Sequence, residues 1–192
     1  MSHEFSIAIK VVWAVVLIYW VWSSRKIKSS AKIESILKRA IQYWLPLVIG
    51  ALLLGPGEWF DHNIIRGQFV PHSYLVESVG LSICIWGALI SIWSRLLLGK
   101  NWSLAIQLKQ DHELIQKGPY SKVRHPIYSG FTLLFLGNAI MVGDWRGLIA
   151  VAIVFASFYF KSKKEEQWLT EHFGDQYAKY QKSTRMLIPV VL

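Results

Sequence analysis

The chain has 192 residues, 53% hydrophobic and 14% aromatic, with a formal net charge of +9. A soluble domain is ordinarily about 45–50% apolar, and here the excess is gathered into long runs that suit a membrane protein rather than a soluble enzyme. The basic residues crowd the ends of those runs, as in cytoplasmic loops facing anionic lipid, which argues against nucleic acid; the single cysteine, Cys84, excludes an internal disulfide framework and a thiolate metal cage.

In chain order, a first span is predicted over about 5–22, with Lys10 inside it. Its flanks resemble a retained span rather than a cleaved signal. Residues 23–39 carry Arg25, Lys26, Lys28, Lys32, Lys38 and Arg39 against Glu34, which marks a cytoplasmic loop. A second span over about 40–54 contains Pro46, which predicts a kink, and Gly55-Pro56-Gly57 ends it. Residues 58–71 lack a basic excess and belong outside. A third span covers about 74–98, and the basic loop 99–126 returns to the cytoplasm. The fourth and fifth spans, about 127–142 and 145–160, are joined only by Gly143-Asp144, too short for anything but a tight hairpin; each is shorter than the roughly 20 residues a perpendicular helix needs, so either they extend into flanking polar sequence or the bilayer thins locally.

Lys161, Lys163 and Lys164 place the end of that hairpin inside. Residues 165–184 read as an amphipathic helix that Gly174 interrupts, and the apolar tail from Met186 docks on the bundle. The predicted fold is all-α: a polytopic membrane bundle of about five transmembrane helices with a cytoplasmic C-terminal amphipathic helix. It forms one membrane domain, 1–192, with three N-terminal spans in 1–99 and the cofactor-binding part in 100–192. The N-terminus is expected outside, and the C-terminus and the site at the cytoplasmic face.

Two polar clusters bear chemistry: the run from Gly118 to Gly130, with Arg124-His125-Pro126, and the run Lys161-Ser162-Lys163-Lys164-Glu165-Glu166. The short hairpin makes their inner ends neighbours, although about forty residues separate them. An Arg, a His and two carboxylates at the mouth of a bundle suit a zwitterionic ligand, because Arg grips carboxylates and a carboxylate balances an ammonium or sulfonium. Tyr120 and Tyr128 add aromatic faces for a cation. On these residues alone, Arg124 equally suits an interfacial anchor, Glu165-Glu166 a solvated pair, and His125-Pro126 a helix entry. There is no HxxxH or HExxH spacing, so no metal is expected, and no GxGxxG, GxxxxGK or GxSxG.

The ordered set Asn101-Trp102-Ser103, His112-x-Leu114-Ile115, Gly118-Pro119-Tyr120, Val123-Arg124-His125-Pro126-x-Tyr128-x-Gly130, Glu165-Glu166, Phe173-Gly174-x-x-Tyr177-x-x-Tyr180 and Leu187-Ile188-Pro189 resembles the isoprenylcysteine carboxyl methyltransferase family, related to phospholipid methyltransferases. The resemblance covers nearly half the chain. It implies an integral membrane enzyme that uses S-adenosyl-L-methionine. Cofactor contacts are implied for Gln107, His112, Glu113, Leu114, Ile115, Tyr120, His125, Pro126, Ile127, Tyr128 and Glu165. Catalytic roles are implied for Arg124 and Glu166, and substrate contacts for Arg124 and Lys161. The chain departs from the family in having Lys161 where prenylcysteine enzymes tend to have Arg, and in 181–185, which lacks the usual basic-Val-Pro run.

The expected reaction is methyl transfer from S-adenosylmethionine to a lipophilic acceptor, the carboxylate of an isoprenylcysteine-like thiol acid. The alternatives are a phospholipid amine N-methyltransferase, a NADPH-dependent sterol-type reductase, and a non-enzymatic scaffold binding anionic lipid. A lipid or lipophilic small molecule and the bilayer are the expected partners, with no nucleic acid and no obligate protein partner.

Overall fold

The computed structural model describes residues 2–25, 35, 37, 40–60, 64–99 and 113–189. Those residues form six α-helices: α1 His3–Ser24, α2 Leu45–Leu53, α3 Tyr74–Leu98, α4 Pro126–Val142, α5 Trp145–Phe173 and α6 Asp175–Ser183. Among the described residues, α1, α3 and α5 are long and apolar enough to cross a membrane; Ala40–Leu53 and Pro126–Val142 are shorter apolar helices. Helix α3 packs along α4, α4 along α5, α2 along α5 and α1 along α3. One core cluster joins Phe5, Ile9 and Val16 of α1 to Cys84 and Ala88 of α3 and Leu134 and Met141 of α4. A second joins Phe135 to Val154 and Phe158. The opposite faces expose large apolar side chains, among them Ile18, Val21, Trp86 and Leu96, as helices bathed in lipid do.

Each boundary has a local cause. Ser73 caps α3, its Oγ accepting from the Val76 amide at 3.3 Å. Pro126 opens α4, where its missing N–H costs nothing. Gly143 closes α4 at φ 73°, in the left-handed region, and so permits the turn straight into α5. The tight hairpin is as expected.

Two expectations are corrected. Pro46 does not kink a helix interior. It lies in the first turn of α2, and the irregularity falls one turn earlier, in the π-helical turn Ala40–Trp44. The short fifth span extends into the flanking polar sequence: α5 runs on unbroken through residues 161–173. Residues 165–184 are therefore not one separate helix: 165–173 belongs to α5, and α6 starts anew after Gly174, the expected interruption, whose φ is 52°.

The turn end of the α4–α5 hairpin is tied by Arg146. Its Nε meets Asp144 at 3.0 Å and its Nη1 donates to the carbonyls of Leu53 and Gly55 at 2.7 and 2.6 Å. These end the α2 helix, so one guanidinium joins α2 to the α4–α5 hairpin.

Candidate functional site

The site lies at the opposite end of that hairpin. A 3-10 turn, Gly118–Ser121, leads to the Arg124-His125-Pro126 corner, which opens α4. The polar extension of α5 stands beside it. Arg124 Nε meets Glu166 Oε1 at 2.6 Å. His125 lies between the acids, with Nδ1 3.3 Å from Glu165 Oε2 and Nε2 3.3 Å from Glu166 Oε1. The latter is an ion contact without hydrogen-bond geometry. Tyr128 donates its hydroxyl to Glu165 Oε1 at 2.7 Å. The corner and the acidic pair, separated by about forty residues, are thus in contact.

Aromatic rings line this junction. Tyr128 stacks on Phe158 at 4.8 Å and 8°, and His125 stacks on Tyr128 at 5.6 Å and 5°. The Lys161 ammonium lies over the rings of Tyr43 and Tyr128, at 4.9 and 5.2 Å. Phe158, Lys161 and Glu165 recur at i, i+3 and i+7, one face of α5. That spacing was the sequence signal by which Phe158 could have been added to the candidates. The aromatic role of Tyr43 had none, since it depends on the packing of the π-helical turn Ala40–Trp44 against α5.

A strap of chain closes the site from below. Residues 122–125 and 185–186 run side by side: the Arg124 amide donates to the Arg185 carbonyl at 2.8 Å, the His125 amide to Met186 at 3.0 Å and the Arg185 amide to Lys122 at 3.2 Å. Arg124 Nη1 donates to the carbonyls of Gln181 and Thr184. Ser129 donates to the Leu187 carbonyl. Tyr180 donates its hydroxyl to the Tyr120 carbonyl at 2.6 Å. Met186 and Leu187 are buried, so the tail docks as expected. Backbone acceptors have no sequence signature, and these partners of Arg124 were missed for that reason.

The other candidates are placed as follows. Tyr120, Pro126 and Ile127 are buried at the corner. Glu113, Leu114 and Ile115 lie in the irregular segment leading to the 3-10 turn, Glu113 exposed and the other two half-buried. Gln107 and His112, with Asn101-Trp102-Ser103, lie outside the described residues. No group of three or more His, Cys, Asp or Glu side chains among the described residues is arranged to hold a metal ion.

The charges set each other. Burial would raise the Glu166 carboxyl, but His125 and Arg124 outweigh it and hold the group down at about 2. Glu165 is also lowered: burial is opposed by His125, Lys161 and the Tyr128 hydroxyl. Burial would lower the His125 imidazole, yet the two carboxylates raise it. Near neutral pH both acids are therefore ionised. Neither is poised as a proton acceptor.

Comparison with known proteins shows the family. Residues 76–176, just over half of the chain, match the family model described as Phospholipid methyltransferase. The chain belongs to the phospholipid methyltransferase family. Among its relatives is a protein-S-isoprenylcysteine O-methyltransferase of Schizosaccharomyces pombe, 29% identical over 168 residues, 81% of this chain and 70% of that protein. Another is protein-S-isoprenylcysteine O-methyltransferase B of Arabidopsis thaliana, 29% identical over 73% of each chain. A solved structure of the eukaryotic intramembrane Ras methyltransferase ICMT is similar, with a TM-score of 0.56 and 26% identity over 79% of this chain. The chain spans a little over half, 53%, of that structure's chain. The resemblance read from the sequence is borne out, and with it an integral membrane methyltransferase built of helices; the reductase and scaffold alternatives give way.

Proposed function

We propose that the protein transfers a methyl group from S-adenosylmethionine to the carboxylate of an isoprenylcysteine-like thiol acid. The observation that carries this reading is the salt-bonded corner, where Arg124, His125, Glu165 and Glu166 converge at the polar end of the hairpin. S-adenosylmethionine supplies an electrophilic methyl group on a sulfonium. The residues present fit such a donor: Glu165 balances a cation, and the stacked Tyr128 and Phe158 rings offer aromatic faces. Gln107, the run from His112 to Ile115, Tyr120, the run from His125 to Tyr128, and Glu165 hold the donor.

A carboxylate acceptor is ionised near neutral pH and needs no base. A protonated amine does. With Glu166 held at about 2 and His125 raised by the same acids, the corner offers a poor base, which favours the carboxylate over a phospholipid amine. The Lys161 ammonium, framed by Tyr43 and Tyr128, is the cation that meets the acceptor carboxylate. Arg124 and Glu166 set the geometry of the transfer centre. The N-terminus lies outside and the C-terminus in the cytoplasm. Residues 1–99 supply three spans, and 100–192 the cofactor-binding part of a single domain. The prenyl tail approaches from the bilayer and the methyl donor from the cytosol.

The test is incubation of detergent-purified protein with methyl-labelled S-adenosylmethionine, a farnesylated cysteine and phosphatidylethanolamine. A base-labile methyl ester on the farnesylated cysteine is expected. Donor binding should be lost in Tyr128→Ala and Glu165→Gln with the helical fold intact. Label on phosphatidylethanolamine instead, or donor binding unchanged in both variants, overturns the reading.

A further inference from the structure

Gln181 lies in the segment where this chain departs from the family pattern, yet it touches both members of the Arg124–Glu166 pair. It sits half-buried on α6. Its Nε2 donates to Glu166 Oε2 at 3.3 Å, and its backbone carbonyl accepts from Arg124 Nη1 at 3.2 Å. Arg124 Nε holds the other oxygen, Glu166 Oε1, at 2.6 Å. A carboxylate held by one oxygen still turns about its terminal torsion, which is broad. One held by both oxygens from different elements keeps its plane.

We infer that Gln181 is a positioning residue for the methyl transfer: it holds Glu166 Oε2 while Arg124 holds Oε1, and so fixes the plane of the second acid beside His125. This rests on the methyltransferase reading. The α6 helix then does more than cover the corner. It supplies a neutral donor where a charged one would add a second cation beside Arg124, and a hydrogen bond to a charged acceptor is worth more than one between neutral groups. The charged and titratable groups facing Glu166 are Arg124 and His125 at the corner, Tyr177 and Tyr180 on α6 and Glu165 on its own helix.

The experiment compares the full-length wild type with Gln181→Leu, which keeps bulk and removes the donor, and Gln181→Glu, which keeps shape and puts an acceptor against Glu166. In Gln181→Leu, kcat falls about tenfold while the KM for S-adenosylmethionine stays within about twofold. In Gln181→Glu, activity is lost at neutral pH and recovers relative to wild type as pH falls towards 5, because protonation restores a donor. A residue that merely packs α6 would make the two variants alike and leave the pH profile unchanged. That result overturns the inference, as does wild-type kcat in Gln181→Leu. Should the wild type transfer no methyl group at all, the methyltransferase reading falls. The hold on Glu166 is then read from thermal unfolding, where Gln181→Leu must move the acid limb to higher pH; an unmoved limb overturns it.

Discussion

Arg124 is nearly enclosed, and its side chain donates to the Glu166 carboxylate and to the carbonyls of Gln181 and Thr184. Its side chain is 11% exposed and that of Glu166 9%. Breaking such a pair leaves a buried charge alone, which costs about 3–5 kcal/mol. Arg124→Ala should lose that much stability in a mixed-micelle unfolding titration, and protease should then reach the chain beyond Ser183. Arg124→Lys should recover only part of the loss, because a single ammonium does not reproduce a guanidinium fork spread over three acceptors. That Arg124 would meet Glu166 was legible, since hairpin parity put both at one end. That it would also grip the carbonyls of two residues near the tail was not, because any residue type carries a carbonyl.

At the scale of the helix, α3 and α4 approach closely through glycines. A Cβ on Gly87 would stand 2.5 Å from the Gly130 carbonyl and 2.7 Å from the Leu134 amide. On Gly80 it would stand 2.6 Å from Met141 and 2.7 Å from the Gly137 carbonyl. Small residues at such crossings let backbones meet, and van der Waals packing rather than hydrophobic transfer then holds the pair in lipid. Gly87→Ala should therefore destabilise by about 1–3 kcal/mol. Ser82→Ala, on the exposed side of the same helix, should change stability by less than about 0.5 kcal/mol; equal effects in unfolding titrations would refute the close crossing. Hydropathy found the body of these helices because lipid imposes length and apolarity together. It misjudged Pro46, whose effect depends on whether it falls in a first turn or an interior. It also left open how far α5 runs past Phe160, since a helix that passes from apolar to polar sequence changes its solvent and not its backbone.

For the molecule as a whole, the corner makes stability depend on pH from both sides. Glu166 and Glu165 are lowered from 4.5, so their contribution is full above that value and fades as pH falls, for Glu166 through about 2. His125 is raised from 6.5, so its contribution is full below 6.5 and is lost as pH rises through its higher value in the folded protein. The corner should stabilise most between pH 4.5 and 6.5. Melting temperatures across pH 3–9 should show an alkaline decline that His125→Asn flattens; an unchanged decline would show that His125 is not its source.

The pairing of residues 122–125 with 185–186 also sets an order of events during folding. Among the described residues the long apolar helices are over by residue 173, yet the carbonyls that seat the corner come later. Those helices can thus pack while the corner is still unmade. Competence arrives only when the segment at Arg185 and Met186 folds back onto Lys122–His125, so a chain whose helices have formed but whose strap is free holds no finished centre.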